Sequence, residues 1–404
     1  MAPGAVRAQV PALRGGAIYL DSSTTTLVPE CVIAAWADLH REIGGSPGRA
    51  RTGMSAAANL RFETARAAIA ARFGATAGEL VFCKNATEGL NLVAWGLTPH
   101  VPPSSIVLVS EAEHHSNDLP WRRLARRTGA FYDVVPCGGD GAIDVDYLRR
   151  LRSRRLGVVA VTHTSNVTGH RPALAEIVEL ARAGGAVVVV DAVQAAAHEP
   201  LALAALGADF VVVSAHKMYG PKGIAAVLGP RARLAMLDPL LVGGGGVHAV
   251  MARDEVLLDV PARLEAGTQD VAAAVAWAEA CRWLGELGFA AIAGHEAALG
   301  HRLRAELAAI DGVRVLGPAG GSPAIASFTV AAAHAHDLEL ALDAAGISIR
   351  AGHMCAQPYL RRLGVTSATR ASLGVYNDDR DVDALVAAVG RVARDSSQGA
   401  ARAS

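Results

Sequence analysis

V-V-V-V-D-A-V-Q, residues 187–194, decides how this chain folds. Four consecutive valines leave no polar face, so the run reads as a strand buried on both sides, the mark of a parallel sheet covered by helices. It stops at an aspartate, and in such sheets the working residues sit at the carboxyl ends of the strands. A second run of the same kind, F-V-V-V-S-A-H-K-M-Y-G-P-K-G at 210–223, ends on Ser214, His216 and Lys217. Asp191 and Lys217 are about one strand–helix–strand step apart, so neighbouring strands can aim both into one crevice.

Working outward, short β-branched runs at 79–83, 105–110, 130–135, 156–162, 186–190, 210–214 and 224–228 alternate with Ala/Leu/Arg-rich helical stretches. This is an α/β pattern with a mostly parallel, seven-stranded sheet. A helix is expected over 56–73, ending at Gly74. Beyond Gly243–Gly246 and Glu265–Gln269 the rhythm changes. Long helices over 270–287 and 289–310, strands at 324–330 and 347–350, and helices at 337–345 and 382–393 describe a smaller α+β domain. The expected organisation is an N-terminal segment at 1–18 packed on the small domain, a large domain at 19–268, the small domain at 269–395 and a disordered tail at 396–404.

The 404 residues are 51% hydrophobic and 19% charged, as in a soluble globular protein. Lys+Arg and Asp+Glu both total 38, so no net charge draws the chain to nucleic acid or to an anionic membrane. The arginines of W-R-R-L-A-R-R (121–127) read as a solvated helix face rather than a phosphate track. Five widely spaced cysteines without a C-x-x-C pair argue against a disulfide framework and a structural zinc site. With no signal-type apolar N-terminus and no spanning run, a reducing cytoplasm is expected.

A lysine and an aspartate at adjacent strand ends suit pyridoxal phosphate. The amine can form a Schiff base with the aldehyde. The carboxylate can keep the pyridine nitrogen protonated. Taken singly, Asp191 also reads as a turn cap and Lys217 as a surface lysine. C-K-N-A-T-E-G-L-N-L (83–92) runs from strand to helix and sets Thr87 where free N–H groups favour a phosphate, or where an ordinary cap would sit. In S-E-A-E-H-H-S-N (110–117), His114 can stack on a ring or be one of a surface pair.

Y-L-D-S-S-T-T-T, K-N-A-T-E-G-L-N-L-V-A, E-H-H-S-N-D-L-P-W, V-T-H-T-S-N-V-T-G, V-D-A-V-Q-A, S-A-H-K-M-Y-G-P-K-G, L-E-A-G-T-Q, R-A-G-H-M-C-A-Q-P and T-R-A-S-L-G-V-Y-N follow one another along residues 19–377. In these motifs the chain resembles fold type I pyridoxal-phosphate enzymes of the class V aminotransferase group. Within that group it is most similar to SUF-type (group II) cysteine desulfurases and selenocysteine lyases. The resemblance implies Lys217 as Schiff-base lysine and proton carrier, Asp191 at the pyridine nitrogen, His114 on the ring and Gln194 at the phenolic oxygen. It implies Ala86, Thr87, Ser214 and His216 around the phosphate, with Thr268 reaching the neighbouring subunit's phosphate in a homodimer with shared sites. Asn166, Arg370 and Arg350 would serve the substrate, an arginine fork matching a carboxylate. Cys355 would be the nucleophile that takes sulfur from L-cysteine and passes it to a small acceptor protein, the stretch from Cys355 to Arg370 being short. Arg350 or His353 would help form its thiolate.

Two departures stand out. An H-R-G-x-H-like segment of the family reads P-G-R-A-R-T-G-M-S here (47–55), keeping Arg49 without the histidines. The family's G-H-H-C reads G-H-M-C, and Met354 cannot carry a proton. Competing readings are a C–S or selenocysteine lyase, an epimerase or aminotransferase with the same cofactor, and a cofactor-binding protein without catalysis.

Overall fold

The computed structural model describes residues 3–48, 52–151, 153–318, 320–322, 324–331 and 333–403. Arg49 lies outside the described residues. The chain opens with a short strand, β1 (Ile18–Tyr19), and then builds its main sheet. The strands of that sheet are β2 (Leu80–Cys83), β3 (Ile106–Ser110), β4 (Phe131–Val135), β5 (Leu156–Thr162), β6 (Val187–Asp191), β7 (Phe210–Ser214) and β8 (Ala225–Leu228). They lie in the order β2-β8-β7-β6-β5-β3-β4. From β7 to β4 every pairing is parallel, and β8 runs antiparallel to both neighbours. The β-branched runs read from the sequence are these strands to within a residue. Both faces are dry: Val188, Val189, Val190, Val212 and Val213 are fully buried.

Helices cover the sheet on both sides. Among them Gly53–Arg72, Leu119–Thr128 and Leu174–Ala183 carry an apolar face inward. In Leu119–Thr128, Trp121 and Leu124 are buried while Arg123 and Arg126 face solvent, as the spacing predicts. Gly89 in Ala86–Gly96 packs so closely on the sheet that a Cβ there would lie 3.0 Å from Val227 and 3.1 Å from Cys83 Sγ.

After an exposed hairpin of β9 (Val247–Val250) and β10 (Glu255–Leu257) comes a second sheet. It holds β11 (Val313–Val315), β12 (Ile325–Val330), β14 (Arg350–Gly352) and β15 (Ala368–Ser372) in the order β11-β12-β15-β14, all antiparallel. The strand expected at 347–350 is split: β13 (Ile347–Ser348) pairs with β1, while β14 turns to β15. The two halves therefore serve two sheets.

Helix Val271–Leu287 buries Trp277, Cys281, Trp283 and Leu284 in the core of the large sheet, while Leu299, Leu303 and Leu307 of the next helix, Phe289–Ala308, join a second core that also takes in Leu20. The N-terminal segment spans both regions. Val6, Val10 and Leu13 join the large core, Arg7 pairs with Asp381 at 3.0 Å, and β1 adds to β13. The final helix runs Asp379–Ala403, so residues 396–403, expected to be disordered, continue it. No helix among the described residues is long and apolar enough to cross a membrane.

Candidate active site

The carboxyl ends of β2, β3, β5, β6 and β7 open into a cavity of ≈ 530 Å³, roofed by β14 and the turn after it. Asp191, Gln194, His216, Lys217, Ala86, Thr87, His114, Asn166, Arg350, Cys355 and Arg370 all line it. Ser214 is fully buried just beneath, its hydroxyl 2.9 Å from His216 Nδ1. Thr268 alone of the expected set lies elsewhere, on a cleft shared with Gly244, Gly245 and Arg66.

The lysine end is tuned for neutral amine chemistry. Burial, reinforced by the Arg370 charge, brings Lys217 down to about 8 despite the opposing pull of Asp191. Asp191 is itself raised by burial, and its Oδ1 accepts from Val193 N at 3.0 Å. His114 is held near 3 by burial and by Lys217, so its ring is neutral, and its Nδ1 accepts from Ser116 N at 3.1 Å. A neutral, fixed imidazole at this wall can lie flat on an aromatic ring.

Helix Ala86–Gly96 points its N-terminus at the same space. Its cap is Asn85, whose side chain accepts from Glu88 N at 2.9 Å. Thr87 is thus not the cap: its hydroxyl is 2.7 Å from Ser116 Oγ and faces the cavity. Free N–H groups of the first helical turn, two hydroxyls and a neutral His216, lowered to about 4 by burial, make a donor set for an anion. Amine, carboxylate, flat imidazole and anion cradle together have the chemistry of a pyridoxal-phosphate site.

The opposite wall is organised by Asp21, which sequence reading had quoted within Y-L-D-S-S without assigning it a role. Its two carboxylate oxygens take Arg370 at 2.9 Å and Arg350 at 2.8 Å. Arg370, 2% exposed, also donates to Thr24 Oγ1 at 2.7 Å and to the Asn166 carbonyl at 2.9 Å, while its Nε is left without a partner. Asn166 donates to the Met354 carbonyl at 2.9 Å, and Gln194 to the Ser23 carbonyl at 2.9 Å. Arg350 is therefore engaged with Asp21, and His353 takes the Cys355 main-chain N–H on Nδ1 at 3.2 Å.

Cys355 is the exposed one among the five free cysteines. It follows Met354, and both have left-handed backbone, φ 52° and 44°. Each such non-glycine residue costs on the order of 1–3 kcal/mol, tolerated only when the surroundings hold it. Met354, 9% exposed, contributes its side chain to the large core, which is the use the fold makes of an apolar residue beside the thiol. Glu113, a second residue without an assigned role, sits under the His114 turn. Burial raises it to about 8, although Asn117 and Thr162 N donate to it at 2.6 and 2.9 Å and Ser110 Oγ contacts it as well.

Known proteins are similar to this chain over nearly its whole length. The aminotransferase class-V family profile matches residues 18–385. A probable cysteine desulfurase of Mycobacterium leprae is 39% identical over 95% of both chains. Another, from Pseudomonas aeruginosa, is 38% identical over 96% of this chain and 98% of its own. Among solved structures, the cysteine desulfurase CsdA of Escherichia coli superposes with a TM-score of 0.90 at 36% identity, and the cysteine desulfurase of Thermococcus onnurineus with 0.93 at 31%, each covering 97% of this chain and 98% of the other.

Proposed function

This chain belongs to the aminotransferase class-V family, and we propose that within it the chain acts as a pyridoxal 5'-phosphate-dependent L-cysteine desulfurase. The observation that carries the reading is one cavity holding Lys217, Asp191 and an exposed Cys355 together with paired arginines. Pyridoxal phosphate, when bound, supplies an aldehyde for an amine and an electron sink for charge on the substrate's Cα. Asp191 would hold the ring nitrogen, His114 the ring face, Gln194 the phenolic oxygen, and Ala86, Thr87, Ser214 and His216 the phosphate.

Arg370, oriented by Asp21, Thr24 and the Asn166 carbonyl, binds the substrate carboxylate, with Asn166 and Arg350 beside it. Lys217, neutral above about pH 8, takes the proton from the substrate's Cα and returns it further along the chain of atoms. The Cys355 thiolate attacks the substrate sulfur. An S–S bond forms as the Cβ–S bond breaks, the electron pair staying on Cβ, where protonation yields alanine. Cys355 is left as a persulfide for a small acceptor protein.

Thr268 serves the partner's phosphate in a homodimer, a reading supported by its distance from the Lys217 cavity of its own chain. Five unpaired cysteines support a reducing cytoplasm. The test is turnover of L-cysteine with a thiol reductant, scored for alanine and sulfide. Cys355→Ala should lower both by about a hundredfold, roughly 2.7 kcal/mol of transition-state stabilisation. Turnover unaffected by that change would point to a lyase or epimerase that does not use the thiol.

A further inference from the structure

Two consecutive left-handed residues, Met354 and Cys355, cannot hold themselves. Besides the buried Met354 side chain, the Asn166 bond to its carbonyl and the bonds that His353 accepts from Cys355 N and Ala356 N, the turn is gripped by His115. Its N–H donates to the Cys355 carbonyl at 2.7 Å. Its ring Nε2 accepts from Gln357 N at 3.4 Å, at the first turn of helix Gln357–Arg362. The ring also lies 6.0 Å from that of His353, which takes the Cys355 N–H. His115 thus brackets the thiol from both sides in sequence.

We propose that neutral His115 is the positioning residue for the Cys355 thiol, so that the turn loosens when the imidazole is protonated or loses its acceptor. An imidazolium has no lone pair for the Gln357 N–H. The titratable and charged groups that face the ring are His353 on the cysteine turn, Asp118 and Arg122 at the start of helix Leu119–Thr128, Arg361 on the following helix, and the neighbouring, neutral His114. Burial first, then His353, Arg122 and Arg361, outweigh Asp118 and lower the affinity of His115 for a proton. The clamp is therefore complete above the ordinary histidine range and is lost as pH falls through the lowered value. This deepens the desulfurase reading, since it assigns the residue that delivers the nucleophile, but the geometry stands without it.

The test is hydrogen exchange by mass spectrometry on the full protein, followed in a peptide spanning 350–362 and corrected for intrinsic rates. His115→Leu removes the acceptor, and His115→Gln retains one at nearly the same place. Exchange at that peptide should rise about fivefold in the leucine variant, the order of one neutral hydrogen bond, and stay near the parent in the glutamine variant. The parent should progressively lose the same protection as pH falls from about 7.5 to below the ordinary histidine range, and the leucine variant should show no such step. With L-cysteine, kcat for alanine should fall in the leucine variant while KM holds. Unchanged exchange at 350–362 in His115→Leu, or equal loss in both variants, overturns the proposal. Absence of alanine from the parent overturns the desulfurase reading alone and leaves the exchange result standing.

Discussion

Asp21→Asn separates what Asp21 does by its shape from what it does by its charge. The side chain is 6% exposed, keeps its size in the variant, and holds Arg370 at 2.9 Å and Arg350 at 2.8 Å. The Arg350 arm is nearly half exposed, so solvent screens it and it contributes little. The Arg370 arm is buried on both sides, and removing one partner of such a pair costs about 3–5 kcal/mol. Asparagine retains one acceptor oxygen, and Arg370 keeps Thr24 and the Asn166 carbonyl, which brings the expected cost below that range, to about 2–3 kcal/mol. Unfolding a chain of this length carries about 0.8 kcal/mol per degree of entropy, so Tm should fall by about 3 °C. The guanidinium loses its fixed orientation at the same time, and KM for L-cysteine should rise about tenfold, or 1.4 kcal/mol of binding. Thermal unfolding and initial-rate kinetics on one preparation measure both. A Tm within 1 °C of the parent together with an unchanged KM would refute the view that Asp21 organises the carboxylate site.

Lys217 and Glu113 give two pH-dependent expectations. In cofactor-free protein, the rate at which added pyridoxal phosphate is captured, followed by its absorbance, should climb about tenfold per pH unit and level off above about 8, where an ordinary lysine would keep climbing towards 10.4; Lys217→Ala should show no capture. Glu113 binds its proton more tightly folded than unfolded, so its contribution to stability is present below the ordinary glutamate range and is lost as pH rises through about 8. Glu113→Gln should flatten that decline in Tm and, by setting an amide N–H against the Asn117 donor, cost about 1–3 kcal/mol at low pH.

How much of this could be read beforehand follows from how local each signal is. The strands of the main sheet are continuous apolar runs because they are buried on both faces, and their ends carry Asp191, Ser214 and Lys217 in plain view. The hairpin 247–257 is exposed on most positions, so it leaves no apolar run to find. Helix Val271–Leu287 is visible in the sequence as an apolar helical run, but the core it joins is not, because an apolar face does not say which partner it meets. Asp21 and Glu113 were hidden for the same reason: their partners lie hundreds of residues away, or are common small polar residues nearby. For Thr87 the sequence leaves a phosphate site and an ordinary cap both open, since helix starts favour either; Asn85, two residues earlier, holds the cap.

The charges of the cavity show why the pieces found separately belong together. Lys217, Arg350 and Arg370 bring three cationic groups, and Asp21 and Asp191 two carboxylates. Of the histidines that line the cavity, His114 and His216, the two pressed by Lys217, are kept neutral by burial and by that lysine, so they add no charge that would trap the amine's proton. Asp21 is spent on the two arginines and Asp191 lies across the cavity floor beside the lysine. What remains is a surplus of positive field shaped for anions, with one amine that can give up its proton near neutral pH. A phosphate at the helix terminus and a substrate carboxylate at Arg370 both relieve that surplus, and Arg370 is the charge that most opposes the proton on Lys217. Pairing Arg370 with a carboxylate therefore strengthens the base at the moment the substrate arrives, which ties substrate binding to proton removal through a single guanidinium.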